Sequence, residues 1–265
     1  MTNQDLNMFK NKPQILFFIL GGFFLTNAIV AEIIGVKIFS LEQTLGFEPA
    51  NLSFFGIENL SFNLTAGVLL WPIIFVMTDI INEYFGKRGV KVLSYAAVGF
   101  IIYAFIMMFL AINLAPNTWW DSQSGLSVDP INSIDKMDLA FNKIIGQGLW
   151  IIVGSLIAFL VGQLLDVLVY QKIRKFTGES KVWLRATGST LISQLVDSYI
   201  VLFIAFYIGS DWSFERVAAI ATVNYIYKFI LAIGLTPFIY LAHNVIDNYL
   251  GVELSNELKK KATNS

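Results

Sequence analysis

The sequence predicts an all-α membrane protein: six transmembrane helices in one integral domain over 1–265, with both termini in the cytoplasm. Three observations carry that prediction: composition, the spacing of apolar runs, and the segregation of charge between the links. The chain of 265 residues is 56% hydrophobic and only 14% charged, whereas soluble domains carry about a quarter charged residues. Six runs, near 14–36, 65–86, 91–113, 144–170, 186–209 and 216–242, are each long enough to cross about 30 Å of hydrocarbon as a helix. A net charge of −1 conceals the third observation. Lys10 and Lys12, then Lys87, Arg88 and Lys91, then Lys172 to Arg185, and finally Lys259, Lys260 and Lys261 place basic residues on the N-terminus, two links and the tail 251–265. The other three links carry Glu42, Glu48, Glu58, Asp121, Asp129, Asp135, Asp138, Asp211 and Glu215. Basic segments stay cytoplasmic, which sets the orientation.

Taken in order, the first run is too long for a signal segment and lacks a small-residue cleavage site, so it reads as span one. It carries Asn27 in mid-membrane and Glu32 nearer the outside. In the outer link 37–64, alternation in Phe39, Leu41, Leu52 and Phe54 is compatible with a short hairpin, and equally with a helix or irregular loop. Three sequons at Asn51, Asn59 and Asn63 would matter only in a secretory-pathway host. Pro72 in span two and Pro237 in span six read as bends. Between spans three and four, Trp119 and Trp120 mark the outer headgroup level, and Asp135 to Lys143 has the pattern of a helix lying on the membrane. A three-plus-three inverted arrangement is compatible with this order, but the similarity between 80–84 and 195–199 is short enough to arise by chance.

The polar residues inside the spans carry the functional argument, because such groups are costly in lipid. Span two ends in Thr78-Asp79-Ile80-Ile81-Asn82-Glu83-Tyr84-Phe85-Gly86, which places Asp79, Asn82, Glu83 and Gly86 on one helical face. Asp79 precedes Lys87 by eight residues, a depth of about 12 Å, and Glu83 lies about 6 Å in. In span five Thr190, Gln194 and Asp197 share a face, with Asp197 about 18 Å beyond Arg185. In span six Asn224 and Lys228 share a face, with Lys228 about 18 Å beyond Arg216. Asp197 and Lys228 thus lie at similar depth, and an ion pair is the simplest way to keep both. The candidate binding residues are Asp79, Asn82, Glu83, Gln194, Asp197, Asn224, Lys228, Asn27 and Thr190. Among the deepest three, Asp79, Asp197 and Lys228, carboxylates outnumber cations, which points to a proton, a cation or a cationic substrate sharing the site. Simpler readings stand beside these: Glu83 and Asp166 as inner-edge caps, Gln163, Ser155 and Ser189 as packing contacts, and His243 as an interfacial residue.

Several classes are excluded. With no cysteine there is no disulfide or thiolate site, and one histidine cannot build a histidine metal cluster. There is no P-loop, no Gly-x-Ser-x-Gly elbow and no His-Glu-x-x-His. No enzymatic activity, cofactor or nucleic-acid partner is expected; the bilayer and a small molecule are, and a homodimer is left open. An intramembrane aspartyl enzyme would need Asp79 and Asp197 face to face, which Lys228 at the same depth opposes.

The combination of Trp-Pro and Thr-Asp-Ile-Ile-Asn-Glu-Tyr-Phe-Gly-Lys-Arg (71–88), Ala-Phe-Asn (140–142), Ser155 to Asp166, Trp-Leu-Arg-Ala-Thr-Gly-Ser-Thr-Leu-Ile-Ser-Gln-Leu-Val-Asp-Ser (183–198) and Tyr-Ile-Tyr-Lys with Thr-Pro (225–237) resembles the VUT-type bacterial queuosine-precursor transporters. The resemblance implies an inner-membrane importer of 7-deazaguanine bases, such as 7-cyano-7-deazaguanine, for tRNA queuosine modification. A guanine-like edge presents two adjacent donors that one carboxylate accepts bidentately, so Asp79 or Asp197 would clamp it while Gln194, Asn82, Asn224 or Lys228 serves O6. The competing transport reading is the substrate-capture subunit of an ATP-driven vitamin importer.

Overall fold

The computed structural model describes residues 11–121, 137–146, 149–177 and 181–263. Lys10, Asp129 and Asp135, counted above in the charge pattern, lie outside them. The chain is mostly helical, and among the described residues five helices are long and apolar enough to cross a membrane. Helix α1 (Lys12–Ile34) starts on Pro13, whose fixed φ suits a first turn, and buries Leu16, Leu20, Phe24, Ala28 and Ala31 along one stripe.

The segment after α1 settles the open reading of the link 37–64 as short strands within a mostly helical chain. Strand β1 (Ile38–Ser40) pairs with β4 (Asn63–Thr65), and β2 (Leu52–Phe54) with β3 (Ile57–Leu60), so Phe39 and Leu52 belong to different two-stranded ladders. Between β1 and β2 lies the short helix α2 (Leu41–Leu45). Its Glu42 accepts the Phe62 N–H at 2.8 Å and the Ala50 N–H at 3.4 Å, tying the two ladders together. A 3-10 turn follows over Ala66–Leu69, so the second helix begins at Trp71 and not at Thr65. Pro72 sits in its first turn and starts the helix instead of bending it.

Helix α3 (Trp71–Ile112) has 42 residues, which as a straight rod would span about 63 Å, twice the hydrocarbon thickness. It is broken at Gly86, with φ 69° and ψ −176°, a conformation open essentially to glycine alone. The arms 71–85 and 87–112 fold back so tightly that a Cβ on Gly89 would lie 2.8 Å from the Cβ of Phe85. The second arm packs on α1, where a Cβ on Gly21 would meet Leu93 at 2.9 Å.

After α4 (Thr118–Asp121), α5 (Met137–Ile145) is helical, as the pattern over Asp135 to Lys143 predicts, with the Trp120 ring against Phe141. Helices α6 (Leu149–Thr177), α7 (Val182–Leu202, continued by a π-helical segment Phe203–Ile208) and α8 (Phe214–Leu250) form the second helical group. They pack closely because small residues allow it: a Cβ on Gly154 would lie 3.0 Å from the carbonyl oxygen of Val201. The tail is α9 (Val252–Thr263), which docks against α3 with Ser255 and Ala262 buried, and does not extend freely from the bundle. The ladders and α9 therefore mark opposite ends of the molecule, a loop end and a tail end.

Candidate functional site

At the loop end a cavity of about 1330 Å³, counted to its open mouth, separates α1 and the start of α3 from α6, α7 and α8. Its polar lining includes Glu32, Lys143, Ser155, Asp197, Asn224 and Lys228, and Trp71 forms one apolar wall. Lys228 Nζ lies 2.5 Å from Asp197 Oδ2, the pair that equal depth called for. Glu32 accepts a hydrogen bond from the Ser155 hydroxyl, and the Asn224 amide donates to the Ile220 carbonyl within its own helix. Glu32 and Ser155 thus belong to the cavity, where Ser155 had read as packing.

Deeper in lies a narrow cleft of about 350 Å³ between α3, α7 and α8, lined by Asp79, Thr187, Thr190, Gln194 and Lys228 with Val76 and Ile239. Lys228 is the side chain the two spaces share. Asp79 accepts from the Thr190 hydroxyl at 3.3 Å and, weakly, from Ser189 at 3.5 Å, and among the described residues the Gln194 side-chain carbonyl oxygen has no hydrogen-bond partner. Beneath the cleft, Tyr170, Ala186 and Ile239 close the packing.

Toward the tail end the expected site divides. Glu83 is not an inner-edge cap: it is 1% exposed, lies 2.7 Å from Arg185 and 3.4 Å from Arg174, and accepts from the Tyr170 hydroxyl. Asn82 accepts from the Gln171 amide at 2.7 Å, and Asn27 donates to Phe23 within α1. Neither Asn27, Asn82 nor Glu83 lines the cavity or the cleft. His243 is buried against Tyr84, its Nδ1 3.1 Å from the hydroxyl. Tyr84 also donates to Asp247 at 2.7 Å, and Asp247 holds Lys259 of α9 at 2.8 Å. Arg174 reaches the Lys259 carbonyl at 2.9 Å, so the tail helix is bolted to the same cluster.

Two functional-looking residues escape the sequence, Arg174 and Arg185, and a third, Asp166, reads there equally as an edge cap or a functional group. The two arginines read as cytoplasmic link charges, yet both are buried and paired with Glu83. Because α7 starts at Val182, Asp197 lies about 22 Å along it, somewhat deeper than a boundary at Arg185 implied. The signal was the unpaired Glu83 itself, whose depth called for a cation from a neighbouring span. Asp166, also read as an edge residue, is 0% exposed and accepts from Ser193 at 3.1 Å.

With this geometry in hand, comparison with known proteins is specific. The sequence profile of a family described as "Putative vitamin uptake transporter" matches residues 65–242. A "Probable queuosine precursor transporter" of Bacillus subtilis is 29% identical over 196 residues, covering 72% of this chain and 77% of that protein. One of the same description from Haemophilus influenzae is 27% identical over 196 residues, covering 73% and 72%. The "Queuosine precursor transporter" of Escherichia coli is 27% identical over 178 residues, covering 67% and 71%. No solved structure matches the chain.

Proposed function

The chain belongs to this family of vitamin uptake transporters, and from that premise we propose that it imports queuosine precursors, 7-cyano-7-deazaguanine and related 7-deazaguanine bases, across the bacterial inner membrane. The substrate leaves chemically unchanged, so the protein is a carrier and not an enzyme. Two features support six crossings: α3 reverses at Gly86 and so counts twice, and each of its arms packs within the bundle. Lys12, Arg174, Arg185 and Lys259 all cluster at the tail end, which supports placing that end in the cytoplasm. The loop end then faces outward, and the cavity lies between a first group of three crossings and a second of opposite orientation, as in inverted-repeat carriers.

The observation that carries the reading is the place of the Asp197–Lys228 pair: both side chains line the loop-end cavity, and Lys228 also lines the deeper cleft. A 7-deazaguanine edge offers N1–H and an exocyclic amine to a carboxylate, and O6 to an ammonium. The base therefore replaces each partner of the ion pair by a complementary group: Asp197 accepts the two donors, Lys228 donates to O6, and Trp71 provides an apolar wall. The cleft below, with Asp79 and Gln194, receives the base when α3 and α7 part. A secondary carrier requires only this alternation, and it needs no energising subunit.

Uptake of labelled 7-deazaguanine bases by cells lacking queuosine biosynthesis tests the proposal. Expression of the protein should confer uptake, and Asp197→Asn at equal membrane level should reduce it at least about tenfold, the equivalent of one charge-assisted hydrogen bond. Unchanged uptake by that variant would remove Asp197 from the site. Uptake by the purified protein alone in liposomes separates a carrier from a capture subunit, which would require its ATPase.

A further inference from the structure

We infer that Asp79 and Asp166 share a single exchangeable proton and that this proton is the coupling ion of transport, carried inward with the base. The inference deepens the carrier reading and rests on it for the coupling role, though not for the shared proton.

Asp79 comes from α3 and Asp166 from α6, 1% and 0% exposed respectively. The Thr190 hydroxyl of α7 lies between them, 3.3 Å from Asp79 Oδ2 and 3.5 Å from Asp166 Oδ1. A hydroxyl has one proton, so it serves one carboxylate at a time. The other donors are contested as well: Ser189 faces Asp79 at 3.5 Å but the Ala186 carbonyl at 3.1 Å, and Ser193 lies 3.1 Å from both Asp166 and the Thr190 carbonyl. Among the described residues, Asp166 Oδ2 has no hydrogen-bond partner.

Among the described residues, no cation lies within ion-pairing distance of either carboxylate. The charged groups around them face elsewhere. On α3, Glu83 is held by Arg174 of α6 and Arg185 of α7. On α8, Lys228 across the cleft is paired with Asp197 of α7, and His243 is engaged by Tyr84. Glu32 of α1 is bound to Ser155 on the loop side. Two carboxylates that share one hydroxyl, away from water and from any cation, do not both remain ionised; one proton between them turns an acceptor into the missing donor.

The position suits coupling. Asp79 and Thr190 line the cleft that receives the base, while Asp166 lies behind them on α6. A base that engages Thr190 changes which carboxylate the hydroxyl serves. Separating α3 from α6 and α7 to open the tail side leaves each carboxylate alone and exposed to the cytoplasm, where the proton is released. One proton moving with one neutral base carries one positive charge inward, so an acidic outside and a negative inside should both drive accumulation.

Infrared difference spectroscopy of the purified protein tests the shared proton with no substrate present. At neutral pH a protonated buried carboxyl band should be seen, and either Asp79→Asn or Asp166→Asn should abolish or shift it. Absence of the band in the wild type would overturn the inference. The second arm compares two modes in liposomes. Asp166→Asn should lose accumulation driven by an imposed pH gradient, about tenfold or more, while equilibrium exchange of labelled for unlabelled base continues. Accumulation that persists undiminished in that variant would refute the coupling role and leave the carrier reading intact. A wild type that shows the band but exchanges no 7-deazaguanine would refute the substrate reading and leave the shared proton standing.

Discussion

Lys228 and Asp197 show how much a single pair constrains. Their separation of 2.5 Å, at 9% and 17% side-chain exposure, is an ion pair kept mostly from water. Removing one partner of a buried pair leaves an uncompensated charge and costs about 3–5 kcal/mol, whereas replacing both with neutral groups is often nearly neutral. Asp197→Asn should therefore lower the thermal midpoint of the detergent-solubilised protein, and Asp197→Asn with Lys228→Met should recover most of it. Uptake should stay lost in both. Recovered uptake in the double variant would mean that the pair serves only to hold α7 to α8.

At the scale of elements, the reversal of α3 depends on one residue. With φ 69° and ψ −176°, Gly86 occupies backbone space where a Cβ costs about 1–3 kcal/mol, and neither arm can relax because Gly89 already touches Phe85. Gly86→Ala should destabilise the protein by that amount in thermal unfolding and reduce its yield in membranes. A change within a few tenths of a kcal/mol would mean that the turn tolerates a second conformation. Helix α9 is a different kind of element. It packs Leu254 and Leu258 on the core, and its Lys259 joins Asp247 of α8 and, through its carbonyl, Arg174 of α6, while Asp247 also takes Tyr84 of α3. Three helices of the bundle therefore meet at one tail residue and its partner.

At the scale of the whole molecule, the large polar cavity lies at the loop end, while the Glu83 and Asp247 clusters tie the helices together at the tail end. The natural absence of cysteine makes this directly measurable, since any introduced thiol is the only one. Ser155→Cys, in the cavity, should react with a membrane-impermeant thiol reagent added outside, and Ser189→Cys, 0% exposed beneath the cleft, should not. Substrate should slow labelling at Ser155→Cys. Equal labelling of both would place the barrier elsewhere. Much of this architecture was legible in the sequence because lipid enforces it: long apolar runs, basic tail-end links, and two opposite charges at one depth. What was not legible has a common cause. Depth along a span says nothing about rotation around its neighbours, so Asp79, Asn82 and Glu83, adjacent on one helix face, could not be sorted into a cleft wall and two structural contacts. Arg174 and Arg185 were hidden for the same reason, since a charge near a span end reads as solvated until the facing carboxylate is placed. The ladders in 38–65 were hidden because their strands are too short to show a period.

The turn at Gly86 has a mechanical consequence. A crossing joined to the next by a loop can tilt alone, because the loop supplies slack; here one residue stands between two arms, and the second arm is keyed into α1 at Gly21. Any tilt of the arm that carries Asp79 must drag the other arm and α1 with it, so the first half of the protein moves as one stiff lever with its fulcrum at the tail end.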